Sequence, residues 1–178
     1  GEVVRQGTTD KLLAELALGI ASYDDVRTGN GRMAIEFLDS SVVRLTEHSK
    51  IIIDDFVYDP DPNKSKLALS MASGTARFIT GRLAGIKKEN IFIKTPSATI
   101  AIRGTDFTTT VDELGRSLII LLPDATGKTS GEISVTTWSG TEILNKPFQA
   151  TMVSTFESRP TKAVVLGNLT LELIDNML

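Results

Sequence analysis

The sequence has no cysteine, one histidine and one tryptophan among 178 residues. Without thiols there are no disulfide staples, no zinc ribbons and no thiol nucleophile. A lone His48 excludes a histidine metal cluster, and no serine and carboxylate are placed around it to make a hydrolytic triad. Aromatics make up only 6% of the chain, so Trp138 and Tyr58 read as packing residues rather than as a platform for sugars. Charge of one sign is missing too. Nineteen basic and 22 acidic side chains leave a net charge of −3, without the basic footprint that a phosphate backbone demands. No stretch approaches the ~18 apolar residues of a membrane-spanning helix, and no charged-then-apolar leader opens the chain. Because Gly1 stands where an initiator Met would, a leader or upstream domain is expected to have been removed.

What is present is enough apolar material, 41%, for a single core at this length. From Arg32 onward it comes in short alternating segments rich in β-branched residues. Met33, Ile35 and Phe37 alternate with Ala34 and Glu36, the period of a half-buried strand. Val43 and Leu45 resume it after a turn at Asp39-Ser40-Ser41. Strands are predicted at residues 51–53, 56–58, 67–71 and 76–79, with Gly74 as a break. Others are predicted at 91–93, 98–102, 107–111 and 118–122, the last two flanking a hairpin loop at 112–116. The last third offers strands near 132–137, 142–144, 149–155 and 163–166. Asp59 to Lys64 holds two prolines and reads as an exposed loop. The connector 81–90 has room for one helical turn at Arg82-Leu83-Ala84. Residues 11–20 and 168–178 fit helix and strand periods about equally, and both stay open.

Few residues invite chemistry. In Arg103-Gly104-Thr105-Asp106 the glycine permits positive φ, and Arg103 can pair with Asp106 across the bend. This corner is either a binding site or a structural ion pair, and the structural reading is favoured. Asp59, Asp61, Asn63 and Ser65 alternate like the first ligands of a calcium loop. Lys64 and Ser70 stand where the glycine and the bidentate glutamate belong, so no metal is expected. Gly127-Lys128-Thr129 resembles the end of a phosphate loop, but Leu122 replaces the required glycine, and the segment is a turn. The acidic pairs Asp24-Asp25, Asp54-Asp55 and Asp112-Glu113 are adjacent in sequence and point to opposite faces of a strand. None of them alone can flank a glycosidic bond.

Spaced segments from Gly31 to Val111 resemble the FecR-type domain. They are the strand and turn Ile35-Glu36-Phe37-Leu38-Asp39-Ser40-Ser41, the step Leu45-Thr46-Glu47-His48-Ser49, and the stretch from Ile51 to Asp59. Ser73-Gly74-Thr75-Ala76-Arg77-Phe78-Ile79-Thr80-Gly81 follows. The signature is Ile93-Lys94-Thr95-Pro96-Ser97-Ala98-Thr99-Ile100-Ala101-Ile102-Arg103-Gly104-Thr105-Asp106-Phe107. Asp25-Val26-Arg27-Thr28-Gly29 lies upstream. The resemblance implies a twisted β-solenoid-like module. In siderophore-linked sigma regulators that module sits in the periplasm, between a membrane helix and the signalling domain of an outer-membrane transporter. The sequence shows no anti-sigma helical region, membrane helix or transporter-contacting domain. In that arrangement it is similar to stand-alone FecR-like proteins of marine tailed bacteriophages.

The expectation is an all-β protein without catalytic residues, cofactor or metal. A solenoid-like core is expected over residues 3–122, with a β-rich extension over 123–178. Thr95, Pro96, Arg103, Gly104, Thr105 and Asp106 are expected to form a structural corner or interaction site. The extension carries too much apolar surface for a free tail. Phe148, Met152, Phe156, Leu169, Leu171 and Leu173 are expected either to cap the core or to dock on a partner, and docking is preferred. The favoured function is a non-enzymatic interaction module of a phage virion, with protein partners in a homo-oligomer or among other virion subunits. The alternative is a periplasmic signalling or ligand-sensing module linked to iron–siderophore uptake. Neither involves nucleic acid.

Overall fold

The computed structural model describes residues 1–57, 59, 61, 64–81 and 90–177. Tyr58, Asn63, the helical turn expected from Arg82, and Leu178 lie outside the described residues. The chain is nearly all β. Its strands are β1 (Glu2–Val4), β2 (Lys11–Leu13), β3 (Asp25–Arg27), β4 (Met33–Glu36), β5 (Val42–Leu45), β6 (Lys50–Val57), β7 (Lys66–Ile79) and β8 (Ile91–Lys94). They continue as β9 (Thr99–Arg103), β10 (Asp106–Val111), β11 (Ser117–Leu121), β12 (Glu132–Thr137), β13 (Gly140–Leu144), β14 (Gln149–Val153) and β15 (Val164–Val165). Among the described residues one helix, α1 (Leu171–Met177), closes the order.

The axis of the fold is β7, and here the structure departs from the sequence pattern. Gly74 was expected to break the strand; instead it sits inside it at φ +90. Its missing Cβ leaves room for Ser49, whose Cα lies 2.5 Å from where that Cβ would be. Only glycine combines that φ with that approach. Before this point β7 pairs with β6 and β8, and from Gly74 onward with β10 and β5. One strand therefore serves two limbs of the sheet. The first limb runs β13-β12-β9-β8-β7-β6-β3-β1-β2, and the second runs β4-β5-β7-β10-β11-β14-β15.

The described residues form no solenoid. Among them only β7 and β8 run parallel, the other pairings are antiparallel, and the sheet stays open at its ends. Short turns such as 112–116 return the chain beside itself, which produces antiparallel ladders rather than stacked parallel coils. Strands from residues 123–178 enter both limbs, β12 beside β9 and β14 beside β11.

Alternation sets the core. Ile100 and Ile102, Ile119 and Leu121, and Ile133 and Val135 point inward from their strands, and all belong to one apolar cluster with Val3, Val26, Leu45 and Leu69. Phe78 and Phe107 stack with ring centres 5.0 Å apart inside the second limb. Phe37, just after β4, meets Phe56 of β6 at 5.0 Å and so ties the two limbs together.

The two ambiguous segments resolve differently. Lys11–Leu13 makes an edge strand and then leaves in turns, whereas the tail forms α1. Thr170 caps that helix, its Oγ1 accepting the Leu173 N–H at 3.2 Å. Only Ile174 of the helix is buried.

Candidate functional site

The signature segment builds two adjoining structures. The first is the turn between β8 and β9. Thr95 N–H donates to the Ala98 carbonyl at 2.9 Å, and Thr95 Oγ1 accepts the Ala98 N–H at 3.0 Å. Behind it, Ser117 of β11 donates to Thr95 Oγ1 at 2.8 Å and shares a 2.7 Å bond with Ser97 Oγ. Three buried hydroxyls thus join this turn to β11 in the second limb, and satisfy one another where water cannot. Pro96 remains exposed on the outside.

The second structure is the corner at residues 103–106. Gly104 takes φ +55, as positive-φ geometry requires. The Thr105 carbonyl accepts from Thr80 N–H at 3.0 Å and from Thr80 Oγ1 at 2.9 Å. Asp106 N–H donates to Ser130 Oγ at 2.9 Å, and that hydroxyl donates on to the Leu122 carbonyl at 2.7 Å. Thr105 Oγ1 is buried without a hydrogen-bond partner among the described residues. Gly131 closes over the bend, since a Cβ there would lie 2.0 Å from the Gly104 oxygen.

The ion pair expected at the corner exists with a different cation. Asp106 is taken by Arg77, two bonds of 2.9 and 2.7 Å reaching its two oxygens from Nε and Nη2. Arg103, by contrast, is exposed. Arg77 Nη1 pairs with Asp175 of α1, so one guanidinium clasps β7, β10 and the helix together. The hydrogen bonds that Arg77 donates to Asp106 outweigh burial and raise the guanidinium pKa above its ordinary value. Three donors of Arg77 are committed within the fold, which makes this a structural clasp rather than an anion site. Period two puts Arg77 opposite Ala76 and Phe78, on the outer face. Nothing in the sequence shows that a helix about a hundred residues later will cover it.

The apolar arm residues divide. Phe148, Phe156, Leu169 and Leu171 are half-buried, and Met152 and Leu173 are exposed. Phe156 carries Trp138 against it at 5.6 Å. Around the alternating aspartates, Ser65 Oγ accepts the Asp59 N–H at 2.9 Å, an ordinary loop closure. Among the described residues no group of three or more His, Asp or Glu is placed to hold a metal ion. Nor is any helix among them long and apolar enough to cross a membrane.

A second charged feature lies on the outer face of the first limb. Lys11 pairs with Glu2 at 2.9 Å, Glu2 with Arg27 at 4.0 Å, Arg27 with Asp25 at 2.6 Å and Asp25 with Lys50 at 3.2 Å. The ladder alternates in sign across β2, β1, β3 and β6. Partial burial pushes the Asp25 carboxyl up, but hydrogen bonds from Arg27 and Lys50 outweigh it and hold the pKa below 3.8.

Comparison with solved structures gives the same fold in two crystal structures assigned to an anti-sigma factor of Parabacteroides distasonis ATCC 8503. One superposes with a TM-score of 0.56 at 15% identity, covering 76% of this chain and 57% of the other. The second gives 0.58 at 14% identity, covering 84% and 64%. The chain therefore spans less than two thirds of each of these longer chains. No curated protein matches the sequence significantly. The virion reading gains no support from these comparisons. The FecR protein family matches residues 24–141, about two thirds of the chain, including the whole signature and its corner. The chain belongs to the FecR protein family.

Proposed function

We propose that this chain is a FecR-type regulatory module that relays a signal through protein contacts in the bacterial envelope, with its β domain on the periplasmic side. The observation that carries the reading is the family match over residues 24–141. The anti-sigma neighbours support it through their shared fold, and the resemblance to siderophore-linked sigma regulators implies the periplasmic placement. The geometry fits a relay better than a reaction. The signature spends the hydroxyls of Thr95 and Ser97 on tying the two limbs together and Asp106 on the Arg77 clasp, and turns Pro96 and Arg103 outward. Iron–siderophore uptake is the system regulated.

The test is transcription of the transport genes in a bacterium that carries this gene, with and without ferric siderophore. Deleting the gene should abolish the response. Arg103→Glu should weaken it while leaving the melting temperature unchanged. An undiminished response after deletion overturns the reading.

A further inference from the structure

The edge at β2 differs from the other sheet ends. The β13 edge is covered by the loop before β15, with Trp138 N–H donating to the Phe156 carbonyl at 3.0 Å and Ala163 N–H to Glu142 Oε1 at 2.9 Å. β15 is only two residues long, and β4 sets an exposed glutamate on its rim. β2 exposes all three of its residues, Leu13 at 71%, and Leu16 just beyond is fully exposed. Uncovered edges of this kind template pairing with another strand.

The hydrogen-bond parity of β2 is fixed. Ala14 N–H donates to the Gly1 carbonyl at 3.0 Å, and Leu12 lies opposite Val3. In an antiparallel ladder alternate residues bond to the same neighbour, so Leu12 and Ala14 bond inward to β1. The backbone groups of Lys11 and Leu13 therefore point out of the edge. The charge ladder also ends here, on the cation of Lys11. Glu15, two residues past Leu13, is exposed and has no ion pair among the described residues.

We propose that β2 pairs antiparallel with β2 of a second copy of this chain, about a two-fold axis through Leu13. In that register Leu13 meets its own counterpart in a hydrogen-bonded pair, Leu12 faces Ala14 of the other copy, and Lys11 faces Glu15 twice. Each Glu15 extends the partner's ladder by one alternation of sign. Moving the axis by one residue sets Lys11 opposite Leu13 in one direction and Leu13 opposite Glu15 in the other, and either move loses both Lys11–Glu15 pairs, so the charges select the centred register. Self-complementarity within a single strand is what an isologous two-fold contact requires. A contact this short belongs to the small, weak class of interfaces.

Sedimentation and light scattering on the full chain test this. The mass should rise from 19.2 kDa toward twice that value as concentration increases. Glu15→Lys should weaken association by about tenfold or more, since like charges then face one another. The swap Lys11→Glu with Glu15→Lys should restore it. Leu13→Pro removes an outward N–H with no partner among the described residues, so association should be lost while the melting temperature holds. A chain that stays monomeric at every concentration overturns the proposal. So does a Glu15→Lys variant that associates like wild type, or a swap that fails to recover.

Discussion

The two limbs carry charge clusters of similar composition and opposite circumstance. The ladder on the first limb has side chains between 19% and 61% exposed, whereas in the second limb Arg77 is 8% and Asp106 17% exposed. Exposed pairs are screened and cost side-chain entropy, so each contributes about 0–1 kcal/mol. Burial changes what happens when a partner is lost, because the remaining charge then stays desolvated and unmatched. The clasp is thus a point where the fold is fragile, and the ladder one where it is tolerant. The same difference places function. A buried clasp fixes geometry, while an exposed ladder ending on a free edge can receive another chain.

The sharpest way to break this comparison is Asp106→Ala. Arg77 would keep only the half-exposed Asp175, and stability should fall by about 3–5 kcal/mol in denaturant titration. Replacing both partners, Arg77→Met with Asp106→Leu, should recover most of that loss, because an apolar pair leaves no orphan charge. If Asp106→Ala costs no more than a ladder pair, the clasp is hydrated in solution and the contrast between the limbs collapses.

Glycines extend the comparison from charge to sterics. A Cβ at Gly131 would sit 2.0 Å from the Gly104 oxygen, and that contact is backbone on both sides. Gly131→Ala should cost about 1–3 kcal/mol by overpacking, read as a lowered melting temperature. Gly19, in the turns beyond β2, has nothing within 4 Å, and Gly19→Ala should stay within about 0.5 kcal/mol of wild type.

Much of this was legible in the sequence, for physical reasons that also set the limits. Strict alternation at Ile100, Ile102, Ile119 and Leu121 reports a buried face directly, so the strands and their hairpin at 112–116 could be located. Gly104 announced its positive φ because few other residues tolerate it. Long-range pairing left no such trace. Gly74 was expected to end a strand, since a glycine that breaks and a glycine that bends look identical until its neighbour Ser49 is in place. Asp106 had Arg103 close by in sequence, and local proximity suggested a pair that the outward turn of Arg103 prevents. Leu169, Leu171 and Leu173 fit a strand period, yet Thr170 supplies a helix cap and Asp175 reaches Arg77, and tertiary contact decided between them.

α1 offers a finer probe of the second limb. Asp175 is 54% exposed, so its bond to Arg77 is largely screened. Asp175→Asn should cost about 1 kcal/mol or less. Hydrogen exchange should report faster opening of α1 with little change in β7 or β10. Equal acceleration in all three would mean that the helix and the clasp unfold as one unit.

The smallest expected effect lies in the ladder and is visible mainly through pH. Asp25 has a folded pKa below its ordinary 3.8, because the hydrogen bonds from Arg27 and Lys50 outweigh its partial burial. A carboxylate depressed in the folded state binds its proton more readily when unfolded. Its stabilising contribution is therefore complete above the unfolded value, about 3.9, and is lost as pH falls through the folded one. Asp25→Asn should lower the melting temperature slightly at neutral pH in low salt. The gap to wild type should narrow with added salt and close as pH falls through the depressed folded pKa. Asp106→Ala should behave differently on the salt axis, since its loss reflects a buried orphan charge that counterions do not reach. Should the two variants respond to salt alike, burial would not be what separates the two limbs.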